Sequence, residues 1–508
     1  VHSNHNPQYP VPIRQSAAKS AAWNYAGYAF QLVLNFGVTA YIVRRISLAE
    51  YGIFLLVMSL SATLNLLDLG ISGVLVQNYV HAIKNHGQAL FNDMVSTSFV
   101  ALGILAMAGA VIFTGLAAFL PGPFRIPSSL VHEAAVIFVI AALTILVRLP
   151  NTALRQAFQS YGRFDRINQF SVVTSSIQAA LSVGVIYGGF GVIGLAWMQL
   201  VSAIIDLGIY IAALPIAIPG CALNPFRFRP RFLRPLINEG KWAFLSNVTG
   251  YLVEMGIWGI LGSFGSMTEV ALYGIAFKAP NQLWNLSDRG ADVLLPILSG
   301  YAADHDYANL RRVFLLTQQL LFGAVLPFVI LGSLFAKPVL ELWVGKQYLG
   351  AAFAMRWLLI AVLAHAIAHA SDLMLYACRR VRLASGISAA GGALTCLIAL
   401  SLVPRYGAAG MGAALAISML VSAFGWYTIQ ACRVSHTSAW QLAASLVRGL
   451  GWPLLALAAG ILLLIRFQQN LAPGWNVIAA TTCGGVYFLI WGWRTALPLY
   501  RNRAGFAA

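Results

Sequence analysis

Lys278, Gln282, Asn285, Arg289 and Asp292 follow one another at spacings of four, three, four and three residues, with Asn281 and Asp288 beside them. On an α-helix those steps place all five on one face. Lys278 and Arg289 offer charge-assisted hydrogen bonds to a phosphate or diphosphate, and Gln282 and Asn285 offer amide donors and acceptors suited to hydroxyl groups. The competing role for the charges is structural, an internal network of Lys278 and Arg289 with Asp288, Asp292 or Glu254. A second constellation is His365, His369 and Asp372, again at spacings of four and three. Imidazoles beside a carboxylate exchange protons near neutral pH. Three metal ligands on one apolar helix are a weak metal signal, so polar packing or ion coupling is expected there and no metal.

Composition dictates what carries these residues. Charged residues make up 9% of the 508-residue chain and apolar ones 59%, against roughly 25% and 45–50% in soluble domains. A hydrocarbon core of about 30 Å takes roughly 20 apolar residues per helix, and fourteen such runs are present: 22–43, 51–76, 94–120, 131–150, 168–187, 192–216, 242–264, 271–298, 313–335, 351–377, 383–402, 408–431, 449–466 and 476–496. The first 21 residues are polar and precede a full-length span without a small-residue cleavage site, which predicts an uncleaved first helix. Placing both termini in the cytoplasm puts 21 basic residues inside and 7 outside, as the positive-inside rule requires. The net charge of +17 is then a consequence of topology and of the anionic inner leaflet, and no nucleic-acid partner is expected.

The chain also repeats itself. Asn24, Gly27, Tyr28 and Gln31 return as Asn247, Gly250, Tyr251 and Glu254 at an offset of 223. Tyr51-Gly52-Ile53 returns as Tyr273-Gly274-Ile275 at 222, Asn65, Leu66, Asp68 and Gly70 return as Asn285, Leu286, Asp288 and Gly290 at 220, and Gly191 and Gly194 return as Gly407 and Gly410 at 216. Duplication in a polytopic chain marks a transporter whose substrate site lies between the repeats. The expected class is therefore an all-α polytopic membrane protein of about 14 transmembrane helices. It consists of a tail (1–21), a six-helix lobe (22–216), a Pro- and Arg-rich cytoplasmic linker (217–241), a second six-helix lobe (242–432) and two extra helices (433–508). Tyr28 and Gln31 on the first helix, Asp68 on the second, and Tyr251 and Glu254 on the seventh join the polar set predicted to face a common interior, with Asn24 and Asn247 beside them. Glu254 in place of Gln31 makes the repeats electrically unequal.

Catalytic motifs are not supported. Asp304, His305 and Asp306 sit in a short loop with no nucleotide-binding domain around it, Gly407, Gly410 and Gly412 open a membrane helix with no strand before it, and Gly240-Lys241 lacks the rest of a phosphate loop. Cys221, Cys378, Cys396, Cys432 and Cys483 show neither metal nor disulfide spacing. Neither an enzyme nor a cofactor is expected.

Four segments together resemble the polysaccharide transport family of the multidrug/oligosaccharidyl-lipid/polysaccharide superfamily: Arg44-Arg45-Ile46-Ser47-Leu48-Ala49-Glu50-Tyr51-Gly52; Asp68-Leu69-Gly70-Ile71-Ser72; Leu154-Arg155-Gln156-Ala157-Phe158 with Arg163, Phe164 and Asn168; and Leu342-Trp343-Val344-Gly345 before Tyr348. The resemblance implies a V-shaped pair of bundles that moves an undecaprenyl-diphosphate-linked oligosaccharide to the periplasmic leaflet of the bacterial inner membrane by alternating access. Such a protein serves O-antigen or exopolysaccharide assembly beside other membrane proteins of that pathway. Lys278, Arg289 and Arg356 suit the diphosphate, and Asn24, Asn247, Asn285, Gln31, Gln282, Tyr28 and Tyr251 suit sugar hydroxyls. Asp68, Asp288 and Asp292 complete the polar lining, and Glu254, His365, His369 and Asp372 are the coupling candidates. The rivals are a multidrug/cation antiporter of the same superfamily, a flippase for the peptidoglycan precursor, and a polysaccharide polymerase or ligase.

Overall fold

The computed structural model describes residues 17–117, 119, 122–292, 294–467 and 473–493; the side chains of Asn24, Asn65, Asn247 and Asp292, with some others inside helices, lie outside the described set. Every regular element described is helical. In chain order these are α1 (Ala17–Val43), α2 (Leu48–Ala62), α3 (Ile71–Ala117), α4 (Val131–Ser160), α5 (Phe164–Tyr187), α6 (Gly191–Ala217), α7 (Leu233–Phe264) and α8 (Met267–Asp292). They continue with α9 (Leu295–Ala303), α10 (Tyr307–Leu334), α11 (Ala336–Trp343), α12 (Ala351–Ala377), α13 (Val381–Leu420), α14 (Thr428–Val434), α15 (Ala439–Phe467) and α16 (Pro473–Trp491).

Nine helical stretches among the described residues are long and apolar enough to cross a membrane, and one of them, Val381–Val434, has the length for two passes. It breaks at Gly407, where φ is 54° and ψ −128°. With that break, and with α1, α7, α8 and α16 included, fourteen segments have the length to cross, as expected. The second and eighth expected spans end earlier than the apolar pattern suggested. In place of 51–76, α2 gives way to a 3₁₀ segment, Thr63–Asp68, and α3 starts afresh at Ile71. In place of 271–298, α8 stops at Asp292 and α9 begins at Leu295. Apolar continuity hid the first break, because Leu69 and Gly70 at positive φ turn the chain without interrupting its hydrophobicity. Pro235 falls in the first turn of α7, where a missing N–H goes unmissed, so the helix begins at Leu233.

The described residues pack as two compact units. One comprises those within Val1–Arg45, Leu64–Ala118 and Ala135–Leu245. Its core stacks Tyr79, Phe91, Phe158, Phe170 and Tyr210 edge to face, with Phe158 and Tyr210 centroids 5.3 Å apart. The segment after α6 is fastened to α3: Arg229 Nε lies 2.6 Å from Asp93 Oδ2, and the Asn224 and Arg229 amides donate to Ser96 Oγ and Thr97 Oγ1.

The other unit comprises Ile46–Thr63, Phe119–Ala134 and Ser246–Ala508. It begins with a capping box, in which the Glu50 amide donates to Ser47 Oγ and the Ser47 amide donates to Glu50 Oε2. Gly52 then meets α8 so closely that a Cβ would lie 1.8 Å from the Met267 carbonyl oxygen. At the centre of this unit is α12, whose buried face is largely alanine. Small residues let α8, α10 and α13 approach its backbone, the packing mode of helices in lipid.

Candidate functional site

Two helices build the most concentrated polar cluster described. On α8, Trp284 and Asp288 lie four residues apart and face α12; on α12, His365 and His369 repeat that step toward α8. Asp288 Oδ1 is 2.6 Å from His365 Nε2 and 3.7 Å from His369 Nε2. The Trp284 and His365 rings stack at 3.8 Å with planes 19° apart, and His365 and His369 follow at 5.5 Å and 20°. The three rings thus form a column with the Asp288 carboxylate along its side. Asp372 is the next residue on that face of α12, and its Oδ1 is buried with no hydrogen-bond partner among the described residues.

The start of α8 is held in place by side-chain bonds. Ser266 Oγ accepts the Glu269 amide at the helix start, and Glu269 Oε2 accepts the Ala408 amide at 2.6 Å, tying α8 to the break in α13. Nearer the cluster, Pro280 removes one backbone donor from α8. Behind α12, Gln318 of α10 donates to the Ile367 carbonyl at 3.1 Å and to Ser371 Oγ at 2.9 Å. Buried amide bonds of this kind fix helix rotation where hydrophobic packing between alanines would leave it loose.

The other expected residues distribute as follows. Lys278, Gln282 and Asn285 are half-buried on α8 and Arg289 is exposed. Arg356 is half-buried on α12, and its Nε donates to the Ser333 carbonyl of α10 at 2.9 Å. Tyr251 is half-buried and Glu254 exposed on α7, where Glu254 makes no ion pair among the described residues. In the first unit Tyr28 and Gln31 are half-buried on α1. Asp68 has a local role there: its Oδ1 accepts the Gly70 amide at 2.6 Å and its Oδ2 the Ser72 hydroxyl, an Asx-turn that starts α3. Asn24, Asn247 and Asp292 belong to α1, α7 and α8, but their side chains lie outside the described residues.

The residue pattern grouped His365 and His369 with Asp372 and gave Asp288 to the edge of a separate face. Proximity across 77 residues leaves no local trace. Trp284 was missed, although its place one turn before Asp288 was visible. Also missed was a polar node in the first unit, where Asp206 of α6 accepts from Asn151 Nδ2 of α4 at 2.8 Å and from Thr174 Oγ1 of α5 at 3.0 Å, while Arg148 donates to Gln199 at 2.7 Å. The signal for that node was a lone carboxylate in an apolar span.

Residues 42–353 match the model of a family described as polysaccharide biosynthesis protein. The chain is 21% identical over 337 residues to a Shigella flexneri protein named "Putative O-antigen transporter", covering 66% of this chain and 78% of that one. Among solved structures, the lipid II flippase MurJ in an inward closed conformation superposes with a TM-score of 0.71 at 10% identity, over 94% of this chain and 99% of the other. An inward-facing multidrug resistance MATE family transporter of the MOP superfamily gives 0.65 at 18%, over 80% and 96%. At these identities the structural likenesses establish the fold, an all-helical polytopic membrane body.

Proposed function

Given that the chain belongs to the polysaccharide biosynthesis protein family, matched over more than half its length, we propose that it is a flippase for an undecaprenyl-diphosphate-linked oligosaccharide. It would act in the bacterial inner membrane with both termini cytoplasmic, by alternating access, for O-antigen or exopolysaccharide export. One observation carries this reading: the chemistry-bearing residues lie on helices of a polytopic body. Lys278, Gln282, Asn285 and Arg289 sit on α8, Arg356 on α12 and Tyr251 on α7. An amphiphile with a diphosphate and a sugar chain calls for cations beside hydroxyl-binding groups, within a body that leaves its lipid tail in the bilayer. Gln31 and Tyr28 on α1 add to that set, with Asn24 and Asn247.

Coupling is assigned to the column of α8 and α12. His365, His369 and Asp372 on α12 are the coupling candidates, with Asp288 of α8 against the two imidazoles, and Glu254, which stands where the first repeat has Gln31, supplies a carboxylate to one repeat only. An ion that acts on one repeat can bias the inward and outward states differently.

Deleting the gene tests the reading. The expected result is loss of surface or secreted polysaccharide, with lipid-linked repeat units accumulating in the inner leaflet. Accumulation in the outer leaflet would point to a polymerase or ligase. Unchanged polysaccharide with heightened sensitivity to cationic drugs would point to a multidrug antiporter. Either outcome overturns the proposal.

A further inference from the structure

We propose that Asp288, His365 and His369 form a binding site for one divalent transition-metal ion of the Zn²⁺ class, bridging α8 and α12. Asp288 Oδ1, His365 Nε2 and His369 Nε2 all lie within 4.8 Å of one another, and two of the three separations are 2.6 and 3.7 Å. Donors around a tetrahedral Zn²⁺, at bonds of about 2.0–2.1 Å, stand roughly 3.3 Å apart. The three atoms already straddle that spacing, so small rotations of the imidazoles close the long separation and open the short one. The fourth position is left for water.

The donor set selects the ion. Two imidazoles and one carboxylate suit Zn²⁺, Co²⁺ or Ni²⁺, whereas Mg²⁺ and Ca²⁺ take shells of oxygen. Charge balance agrees. Neutral imidazoles leave Asp288 to offset one charge of the dication, and Asp372, three residues beyond His369 with Oδ1 buried and unpartnered among the described residues, offers the second. Net neutrality matters because uncompensated charge at membrane depth is strongly unfavourable. Preorganisation comes from the fold: the stack on Trp284 fixes the plane of His365, and the four-residue step on α12 brings His369 to the same side. An ion can also reach the site, since the Asp288 side chain retains 33% of its exposure while His365 and His369 retain 14% and 15%.

The site stands on geometry and does not depend on the identity of the transported substrate; a bound ion takes the imidazole lone pairs that the coupling proton would otherwise use, so ion and proton compete for it. Its test is a titration of the purified full-length chain in detergent, with Zn²⁺ followed by calorimetry and Co²⁺ by visible absorption. The expected result is one ion per chain, with a four-coordinate Co²⁺ spectrum lacking a thiolate charge-transfer band, which separates the site from the five cysteines. His365→Ala, His369→Ala and Asp288→Ala should each weaken binding by more than the ~10–100-fold typical of losing an outer-shell partner, and Asp372→Asn should fall within that range. His369→Cys should restore binding and shift preference toward Cd²⁺. A histidine that only packs helices would not move metal preference, so this variant separates ligation from structure. Absence of saturable binding, binding unchanged in the three alanine variants, or no recovery in monodisperse His369→Cys protein would overturn the proposal.

Discussion

Asp68 and Asp288 stand 220 residues apart at the same place in the two repeats, yet their carboxylates are used differently. Asp68 bonds within four residues of itself, to the Gly70 amide and the Ser72 hydroxyl. Asp288 reaches across 77 residues to His365. The backbones around them differ as well, since Asp68 ends a 3₁₀ segment before the positive-φ turn at Leu69 and Gly70 whereas Asp288 lies inside α8; the repeats share turns elsewhere. Gly162 and Arg379 both turn with positive φ, at 68° and 58°, just before α5 and α13, and Gly191 and Gly407 do the same at 57° and 54°. Counting back 217 residues from Arg379 to Gly162, His365, His369 and Asp372 align with Arg148, Thr152 and Arg155. One repeat therefore carries cations where the other carries a titratable triad. In the first unit the acid is instead Asp206 on α6, bonded to Asn151 and Thr174. Duplication has kept the turns before α5 and α13 and at Gly191 and Gly407, lost the one at Leu69–Gly70, and released the side chains.

The sharpest break in that comparison is Asp288→Ala against Asp68→Ala. Each removes an acceptor from half-buried groups and should cost about 1–3 kcal/mol of stability. Transport should separate them. Asp288→Ala is expected to lower flipping in proteoliposomes to the protein-free background, while Asp68→Ala at equal protein level stays within about twofold, because each tenfold loss in rate requires about 1.4 kcal/mol at the barrier. Equal losses in both variants would mean the two acids serve the same purpose.

The paired glycines give the next largest effect. Alanine at either Gly191 or Gly407 must adopt a positive φ that L side chains rarely take, at a cost of about 1–3 kcal/mol. A Cβ at Gly407 would also lie 2.3 Å from Glu269 Oε2, whereas nothing lies within 4 Å of one at Gly191. Gly407→Ala should therefore lower the melting temperature more than Gly191→Ala, by the equivalent of about 1–3 kcal/mol, the usual cost of overpacking.

Lys278→Ala and Arg289→Ala probe charge present in α8 and absent from α2. If these cations act on the diphosphate, flipping falls about tenfold, a loss of about 1.4 kcal/mol, with expression and melting temperature near those of the parent. A fall in melting temperature at unchanged specific transport would make them structural partners of the neighbouring acids.

The smallest effect is at the start of α10. Asp306 accepts the Asn309 amide and side chain there, and those bonds hold its carboxyl below the ordinary carboxylate range; the first repeat makes the corresponding break with Gly87, at φ 78°. Because the folded value is the lower one, the stabilisation is complete above the ordinary carboxylate pKa of about 3.9 and disappears as pH falls through the folded value. Asp306→Ala should be slightly less stable than the parent at neutral pH, with the gap closing in acid. A gap that persists in acid would assign the effect to something other than the ionised cap.

Much of the fold was legible in the sequence. Membrane-spanning length is a local property, and among the described residues nine stretches are both long and apolar enough to cross while α1, α7, α8 and α16 add the length alone. The ends of α2 and α8 were not legible, since hydrophobicity continues through the turns at Leu69–Gly70 and after Asp292. Of the candidate site, the spacing of His365 and His369 was legible and their partner was not. Periodicity ranks residues along one helix and is silent about which neighbour it meets, so Asp288 was assigned to its own helix and Asp372 to the histidines. Asp68 shows the converse: a carboxylate in an apolar span is a functional signal, and here a turn two residues later accounts for its bonds.

The central claim is tested most directly by reconstituting the purified chain in liposomes with a polyprenyl-diphosphate-linked oligosaccharide in both leaflets and measuring how much becomes accessible to an external, membrane-impermeant sugar-modifying enzyme. The protected inner-leaflet pool is expected to drain in a protein-dependent way, and Asp288→Ala to abolish the drainage. A pool that stays protected with folded wild-type protein, under liposome conditions that sustain transport of a cationic drug, would contradict it.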